Sequence, residues 1–537
     1  MNSFTLLPAY WEILNTSRLI FQHAGLVLAA SLLGVAVWKW APEGTSSALV
    51  FPAHFSKAFL ASLFFLAFAS LVGVALVVLQ NFSNSADEYS CLFLAKCFAS
   101  KKLYGATDAL VEFFHFTHIG EKGGKWFSVY PPGWPLLLVP GLVAGIPWIV
   151  NPLLGALTLV FVYRLGRRVG DERSALLACL WIGSSSFFLF NAGSYFSHTA
   201  CFLFLSLFLW CFMVAVEAGR GPWFFLSGLA LGYAMMTRYL SAIAFGAPFV
   251  LYLLWRAVRK NDIRARHLAA FFCGLAVFNG FQLWFQYRIT GNPFLTPIHY
   301  FREHERLGFS RDFPPWLGLG YTLFRVLFYA QWTVPGLWLL AVAAFFVPRF
   351  WDKGIWDRLF LTAGLLCGSA YMLYYSFGGN AYGPRYFFES MGVLGIMAAK
   401  TFFFLWDRWK GLPGRVILAL GLAIGFGINA WNVCGEMNLY RGITSERKSL
   451  YRAVDSAGLD QSVVFIRDWV GTTLPLPPTD LTRNSPGRDD SVLYVQDLGE
   501  KNQLLMDAMP QRRFYVGTYD KEAGVAHLTP LSASQTK

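Results

Sequence analysis

The sequence of 537 residues is 55% hydrophobic and 18% aromatic but only 14% charged, with a mean hydropathy of +0.45. Soluble globular proteins carry about 25% charged residues, so this composition excludes a chain built of soluble domains alone. The formal net charge of +13 would suggest nucleic-acid binding in a soluble protein, but in a membrane protein it is typical of basic cytoplasmic loops. We therefore expect an integral membrane protein with no nucleic-acid partner.

Apolar runs of the length that crosses a bilayer as a helix recur along most of the chain. They predict an all-α polytopic membrane protein of about 12 transmembrane helices, followed by a small C-terminal α/β domain. The predicted spans are 19–38, 58–80, 150–166, 174–193, 198–216, 222–236, 240–256, 268–287, 330–348, 359–377, 387–405 and 414–433.

Basic residues cluster in the predicted connections at 164–173, 256–266, 349–358 and 408–415. With these spans, all four clusters fall on one side of the membrane, and the positive-inside rule makes that side cytoplasmic. The remaining connections, including the long ones at 81–149 and 288–329, then lie outside. We expect a multi-pass protein of the inner (plasma) membrane, whose transmembrane domain covers residues 1–435.

The composition changes after residue 440, where charged residues and turns become frequent. A charged helix ends near Gly458, and short β-type runs follow at 463–466, 492–495 and 514–516, with a helical stretch at 501–509. This pattern predicts a small α/β domain at 440–537, which the same span count places outside the membrane.

Two adjacent acids, Asp87 and Glu88, follow the second predicted span. Ser85 and Glu88 have the spacing of a capping box, and acids in a first turn interact favourably with the helix dipole. Both acids could therefore simply begin a helix that runs to about Ser100. The functional alternative is a general base at the membrane boundary. Adjacent helical residues point about 100° apart, so one acid can cap the helix while the other faces a cavity.

Two further segments place polar groups beside Gly and Pro. Tyr130-Pro131-Pro132-Gly133, preceded by Lys125, forces an extended and then a turning backbone; the structural alternative is an aromatic belt at the lipid interface. Gly383-Pro384-Arg385-Tyr386 makes a tight turn between two late spans, which directs Arg385 and Tyr382 toward the helices. An arginine there suits a phosphate group, and ordinary snorkelling at a helix end is the alternative.

The sequence gives little support for a metal or a nucleotide. His299, in the outer connection at 288–329, belongs to a His-x-x-x-x-His pattern, which is not a known metal motif, so no metal site is predicted. The cytoplasmic connections contain no phosphate-binding loop, dinucleotide fingerprint or nucleophile elbow. An activated donor would therefore be presented in the membrane or outside it. The alternative is a transporter or flippase for a lipid or solute, but transporters favour internal repeats and charges at the membrane midplane, and here the charges gather in outer connections.

The acid pair at Asp87, the Pro-Pro turn after Tyr130 and the Arg385-Tyr386 turn resemble the GT-C membrane glycosyltransferases. Within them, residues 80–405 are most similar to the branch that holds the dolichyl-phosphate-mannose protein mannosyltransferases and the lipid A aminoarabinose transferase. In relatives a basic residue often directly precedes the Pro-Pro pair, whereas here that position is Tyr130.

The resemblance implies transfer of a sugar, with inversion, from a polyprenyl-phosphate-linked donor to an acceptor on the outer face of the membrane. The acceptor would be a lipid, a glycan or a protein. Asp87, with Glu88 beside it, would be catalytic, and Arg385 would stabilise the leaving phosphate. No cofactor is required, although a divalent cation could assist. The residues expected to bind substrate are Lys125, Tyr130, His299, Tyr382 and Arg385.

Overall fold

The computed structural model describes residues 54–531, apart from 261, 304, 306, 347–353, 379–380, 410–411, 468–477 and 521, together with a few positions between 22 and 52. The helices are α1 Lys57–Gly73, α2 Ala86–Ala99, α3 Gly133–Val143, α4 Val150–Val169, α5 Glu172–Ser184, α6 Ser186–Gly193, α7 His198–Ala218, α8 Gly221–Thr237, α9 Tyr239–Trp255, α10 Ala265–Thr290, α11 Pro297–Phe301, α12 Pro315–Trp332, α13 Leu337–Phe346, α14 Ile355–Ala370, α15 Met391–Arg408, α16 Leu412–Ser456 and α17 Asn502–Ala508. The strands are β1 Gly105–Ala106, β2 Ile119–Lys122, β3 Lys125–Ser128, β4 Ser462–Ile466, β5 Val492–Gln496, β6 Arg513–Asp520 and β7 Val525–Pro530.

Helices dominate the chain, as the apolar runs predict. Within the described residues, seven helices are long and apolar enough to cross a membrane, or eight if α5 and α6, bent by 65°, form one broken span. Ser185 is the break, because its side chain accepts a hydrogen bond from Phe188 N and begins α6. The positions of the predicted span at 19–38 that the structure describes are helical, and its other positions, like part of the basic connection at 349–358, lie outside the described residues. A multi-pass, mostly helical membrane protein with a C-terminal sheet is thus confirmed.

The structure differs from the sequence prediction between residues 288 and 348. The stretch 288–329, predicted as a connection, contains most of α12, and the predicted span 330–348 contains only the shorter α13. Hydropathy does not predict α12, because the charge of Arg325 interrupts its apolar run. In the structure Arg325 is buried and donates to the carbonyls of Tyr371, Ser376 and Phe377 at 2.8–2.9 Å, so its charge is satisfied by backbone oxygens.

The first long connection is an ordered unit. It contains α2, an antiparallel three-stranded sheet of order β1-β3-β2, and α3. Trp126 and Phe127 of β3 are fully buried and pack with Phe93 of α2. This packing fixes the first turn of α2, where the two acids lie.

The C-terminal sheet has the order β5-β4-β6-β7, with β4 parallel to both neighbours and β7 antiparallel to β6. The strands at 462–466, 492–496 and 513–520 and helix α17 agree with the sequence prediction, and β7 is additional. The charged helix is the end of α16, which continues from the last predicted span as one helix. Phe465 and Val495 of this sheet share a hydrophobic core with Phe114 of the first connection. The C-terminal sheet therefore packs directly on the unit that carries the acids.

Candidate functional site

A cavity of about 350 Å³ lies where the first connection meets the ends of several helices. Polar side chains supply much of its wall, including six tyrosines, three arginines and two acids among the described residues. The polar and charged lining residues are Asp87, His118, Tyr130, Ser197, His198, Thr237, Arg238, Tyr239, Gln282, Thr296, Arg302, Glu305, Tyr371, Tyr374, Tyr375, Ser376, Arg385 and Tyr386.

Asp87, in the first turn of α2, faces this cavity. Its carboxylate accepts a hydrogen bond from Tyr130 Oη and one from Arg385 Nη1, the latter at 3.0 Å. Burial alone would raise the pKa of Asp87, but nearby basic groups, Arg385 first among them, outweigh burial and leave the pKa below its usual value. Asp87 is therefore an ionised carboxylate that can accept a proton from a molecule in the cavity.

Glu88 begins the helix instead. Its carboxylate accepts from Ser85 N at 2.9 Å, while Ser85 Oγ accepts from Glu88 N, which completes a capping box. The second oxygen of Glu88 accepts from Tyr195 N at 2.9 Å. Burial raises the pKa of Glu88 to about 7. Glu88 therefore caps α2 and connects it to the turn between α6 and α7. Asp87, which points about 100° away on the helix, lines the cavity.

Arg385 reaches the cavity from the turn between α14 and α15. Gly383 has φ +85°, and a Cβ there would lie 2.9 Å from the Trp332 ring, so this tight turn needs glycine. The Arg385 guanidinium lies 4.0 Å from the Phe196 ring centroid. Its Nε makes no hydrogen bond with any described residue. Arg385 is therefore held rigidly and keeps donors for a further anionic group.

A second ion pair joins the cavity wall to Glu389, which lies behind it. Arg238 Nε lies 3.1 Å from Glu389 Oε1, and His198 Nδ1 lies 3.1 Å from the same oxygen. Arg238 also donates to Ser197 Oγ at 3.3 Å and Tyr371 Oη at 3.2 Å. Since Glu389 is fully buried, this network neutralises Arg238 and fixes the turn between α8 and α9, which lines the cavity.

Three residues expected to bind substrate are not among those that line the cavity. Lys125 Nζ donates to the carbonyls of Arg288 and Ile289 at 2.8 and 2.9 Å, at the end of α10. Tyr382 is fully buried, where its hydroxyl accepts from Asn84 Nδ2 at 3.2 Å. His299 belongs to α11, and its Nδ1 lies 2.9 Å from the Thr296 Oγ1 that caps this helix. The described contacts of these three side chains maintain the fold around the cavity.

Other lining residues do not belong to the predicted site. Arg302 and Glu305 form an ion pair of 2.8 Å in the cavity wall, and His118 lies beside Asp87. Glu389 could have been found as an acid within an apolar run, which usually marks a buried partner. His118 carries no such signal, because it stands in a polar connection where histidine is unremarkable.

An apolar groove of about 440 Å³ lies between α8 and α10. These helices touch through glycine: a Cβ on Gly228 would lie 1.9 Å from Phe271 O, and one on Gly274 would lie 2.1 Å from Phe225 O. Further along the same pair, the groove is lined by Met235, Phe272, Leu275, Ala276, Asn279, Gln282 and Leu283. Gln282 also lines the cavity, so the groove and the cavity lie on either side of this side chain.

No three His, Cys, Asp or Glu side chains within the described part of the chain lie close enough together to hold a metal ion. The charged groups at the cavity are instead paired with one another: Asp87 with Arg385, and Glu305 with Arg302.

Comparison with known proteins agrees with the sequence resemblance. Residues 147–284 match the family model described as dolichyl-phosphate-mannose-protein mannosyltransferase. The crystal structure of ArnT from Cupriavidus metallidurans bound to undecaprenyl phosphate aligns with a TM-score of 0.53 at 14% identity, covering 89% of this chain and 99% of ArnT. Its apo state aligns with a TM-score of 0.50 at 16% identity, covering 86% and 92%. No curated protein sequence matches the chain significantly. The resemblance to the GT-C membrane glycosyltransferases is thereby confirmed.

Proposed function

We propose that this chain, which has the fold of the GT-C membrane glycosyltransferases, transfers a sugar from a polyprenyl-phosphate-linked donor to an acceptor, with inversion. The observation that carries the proposal is the meeting of Asp87 and Arg385 in one cavity, 3.0 Å apart. They come from positions far apart in the sequence, and together they supply a base for the acceptor and a cation for a leaving phosphate.

The donor phosphate would bind at Arg385. The Nε of this residue is an unused donor, and a guanidinium can hold a phosphate through two parallel hydrogen bonds. The polyprenyl tail would leave the cavity past Gln282 and lie in the apolar groove between α8 and α10. The similar ArnT structure was solved with undecaprenyl phosphate, which supports a lipid phosphate as the donor class.

In the reaction, the acceptor hydroxyl attacks the anomeric carbon from the face opposite the phosphate, which gives inversion. The bond from that carbon to the phosphate oxygen breaks, and its electron pair leaves with the lipid phosphate. Asp87 takes the proton of the hydroxyl, which contributes about 100-fold or more to the rate. Arg385 stabilises the charge that develops on the leaving oxygen, and Tyr130 orients Asp87 through its hydrogen bond. The scheme needs no divalent cation, because a guanidinium supplies the positive charge.

We further propose the membrane arrangement that the basic connections predict. About 12 helices would cross the inner membrane. Helices such as α8 and α12, which are not among the seven or eight identified by length and composition, would supply further crossings. The transmembrane domain would cover 1–435, with its long connections at 81–149 and 288–329 and the sheet domain at 440–537 outside. Labelling of a single introduced cysteine supports this arrangement if Gln503→Cys reacts in intact cells and Arg259→Cys does not.

Release of the lipid phosphate tests the function without knowledge of the acceptor. The full chain in nanodiscs is given undecaprenyl phosphate carrying one of several monosaccharides, with and without a bacterial envelope extract as acceptor. We expect release of undecaprenyl phosphate from at least one donor, faster with the extract, and its loss in Asp87→Asn. Absence of release from every donor in both conditions would exclude the proposed reaction class.

A further inference from the structure

The residue beside Asp87 that no motif marks is His118. Its Nε2 lies 3.5 Å from Asp87 Oδ1, and its ring meets Tyr130 edge-on, with centroids 5.8 Å apart. Its backbone carbonyl accepts from Ser90 Oγ at 2.6 Å and from Val129 N at 3.3 Å. The imidazole is therefore held against the carboxylate by α2 on one side and by the end of β3 on the other.

The other ring nitrogen of His118 is unusual. Nδ1 is buried and makes no hydrogen bond with any described residue, although buried polar atoms in native proteins nearly always have partners. The charged groups that act on the ring are Asp87, Arg302, Asp480 and Glu305. A neutral imidazole that carries its proton on Nδ1 has a lone pair on Nε2, the nitrogen that faces Asp87, and can accept a proton there.

We propose that His118 is the proton relay of the transfer reaction: it receives, at Nε2, the proton that Asp87 removes from the acceptor hydroxyl. This inference rests on the proposed function. The O–H bond of the acceptor breaks as its oxygen bonds to the anomeric carbon, and the sugar–phosphate bond breaks toward the phosphate. The proton moves to Asp87 Oδ1 and then to His118, which becomes an imidazolium, and it returns to solvent after the products leave.

The relay follows from the surroundings of Asp87. With no donor bound, Arg385 keeps the pKa of this carboxyl low; donor binding raises this pKa, and the imidazole then provides a second site for the proton that the carboxylate takes up. Burial lowers the pKa of His118, against the opposing effect of Asp87, so the imidazole is neutral near pH 7 and its Nε2 can accept. An ordinary imidazole is more basic than an ordinary carboxylate by about 2.6 pKa units; this difference favours transfer from Asp87 to His118, and burial of the imidazole reduces it.

The test uses His118→Gln and His118→Ala in the full chain, with His115→Gln as the matched control. His115 belongs to the same connection, but it pairs with Glu121 at 3.2 Å and does not line the cavity. Release of undecaprenyl phosphate from the donor that the wild type uses is measured in single turnover between about pH 5 and pH 9. Substituted imidazoles are then added to His118→Ala, and binding of undecaprenyl phosphate to each variant shows that it is folded.

We expect His118→Gln to release undecaprenyl phosphate about 100-fold more slowly, with lipid binding and the His115→Gln rate unchanged. The wild-type rate should fall as the pH drops through the His118 pKa, which burial lowers from its ordinary value, and the variants should lack this fall. Imidazoles should restore His118→Ala in proportion to their basicity. The relay would be overturned if His118→Gln kept the wild-type rate, or if it were slow but kept the wild-type pH profile. It would also be overturned if no imidazole restored the activity of His118→Ala, or if both variants lost lipid binding. Absence of release by the wild type would overturn the proposed function, and the relay with it.

Discussion

Arg385 Nη1 donates to Asp87 Oδ2 at 3.0 Å, so the proposed phosphate ligand and the proposed base neutralise each other in the structure. A lipid phosphate that binds Arg385 must share or replace this bond. The Asp87 carboxylate then loses part of its stabilising charge and gains a negative neighbour, and both changes raise its pKa. Donor binding would therefore make Asp87 a stronger base at the time when the acceptor is attacked.

This relationship gives Asp87→Asn two opposite effects. Transfer should fall by about 100-fold or more, because an amide cannot accept the proton. Affinity for undecaprenyl phosphate without a sugar should rise, by about tenfold for each 1.4 kcal/mol of competition removed, because Arg385 no longer holds a carboxylate. Rate and affinity are measured on the same preparation, and Glu88→Gln serves as the neighbouring control. Weaker lipid-phosphate binding by Asp87→Asn would contradict competition for Arg385.

Arg385→Lys should keep the charge but lose the planar pair of donors. We expect the rate of lipid-phosphate release to fall by about tenfold to 100-fold. Arg168→Lys is the matched control, because Arg168 pairs with Glu217 away from the cavity. Equal rates for Arg385→Lys and the wild type would show that a positive charge alone suffices. They would contradict a bidentate contact between Arg385 and the phosphate.

Lys125→Met should destabilise the protein rather than weaken donor binding. Its ammonium caps the last carbonyls of α10, so the substitution leaves Arg288 O and Ile289 O without this donor, at a cost of about 1–3 kcal/mol. We expect a lower thermal midpoint in detergent and unchanged affinity for undecaprenyl phosphate. The exposed Lys102→Met is the control. If Lys125→Met instead lost affinity for the lipid phosphate at unchanged stability, Lys125 would be a ligand of the donor phosphate.

The contrast between Lys125 and Arg385 shows what the sequence can predict. Arg385 follows a Gly-Pro turn between two apolar runs, so its direction is restricted by local backbone geometry. Lys125 has a long flexible side chain on a strand, and the position of α10, far away in sequence, decides where its ammonium lies. The capping box of Glu88 with Ser85 is a local signal, which the sequence predicts. The contact of Glu88 with Tyr195 N joins residues far apart in the chain, which the sequence does not predict.

The same reasoning explains the missed helix. Hydropathy predicts the other long helices because lipid requires a continuous apolar face. Arg325 interrupts this signal in α12, and only the carbonyls of a distant turn satisfy its charge. Sites and helices that depend on long-range polar contacts are therefore those that sequence patterns miss.

Filling the groove between α8 and α10 should separate tail binding from headgroup chemistry. Ala276 lines this groove but not the cavity, so Ala276→Phe should raise KM for an undecaprenyl-phosphate sugar by about tenfold and leave kcat unchanged. A short geranyl-phosphate donor should be used equally well by the variant and the wild type. Equal KM values for the long donor would show that the tail lies elsewhere.

The most direct test is the structure of the full chain in nanodiscs with undecaprenyl phosphate. We predict phosphate density within hydrogen-bond distance of the Arg385 guanidinium, next to Asp87, and a tail that passes Gln282 into the groove between α8 and α10. A lipid phosphate bound away from this cavity, with the hydrogen bond between Asp87 and Arg385 intact, would contradict the account.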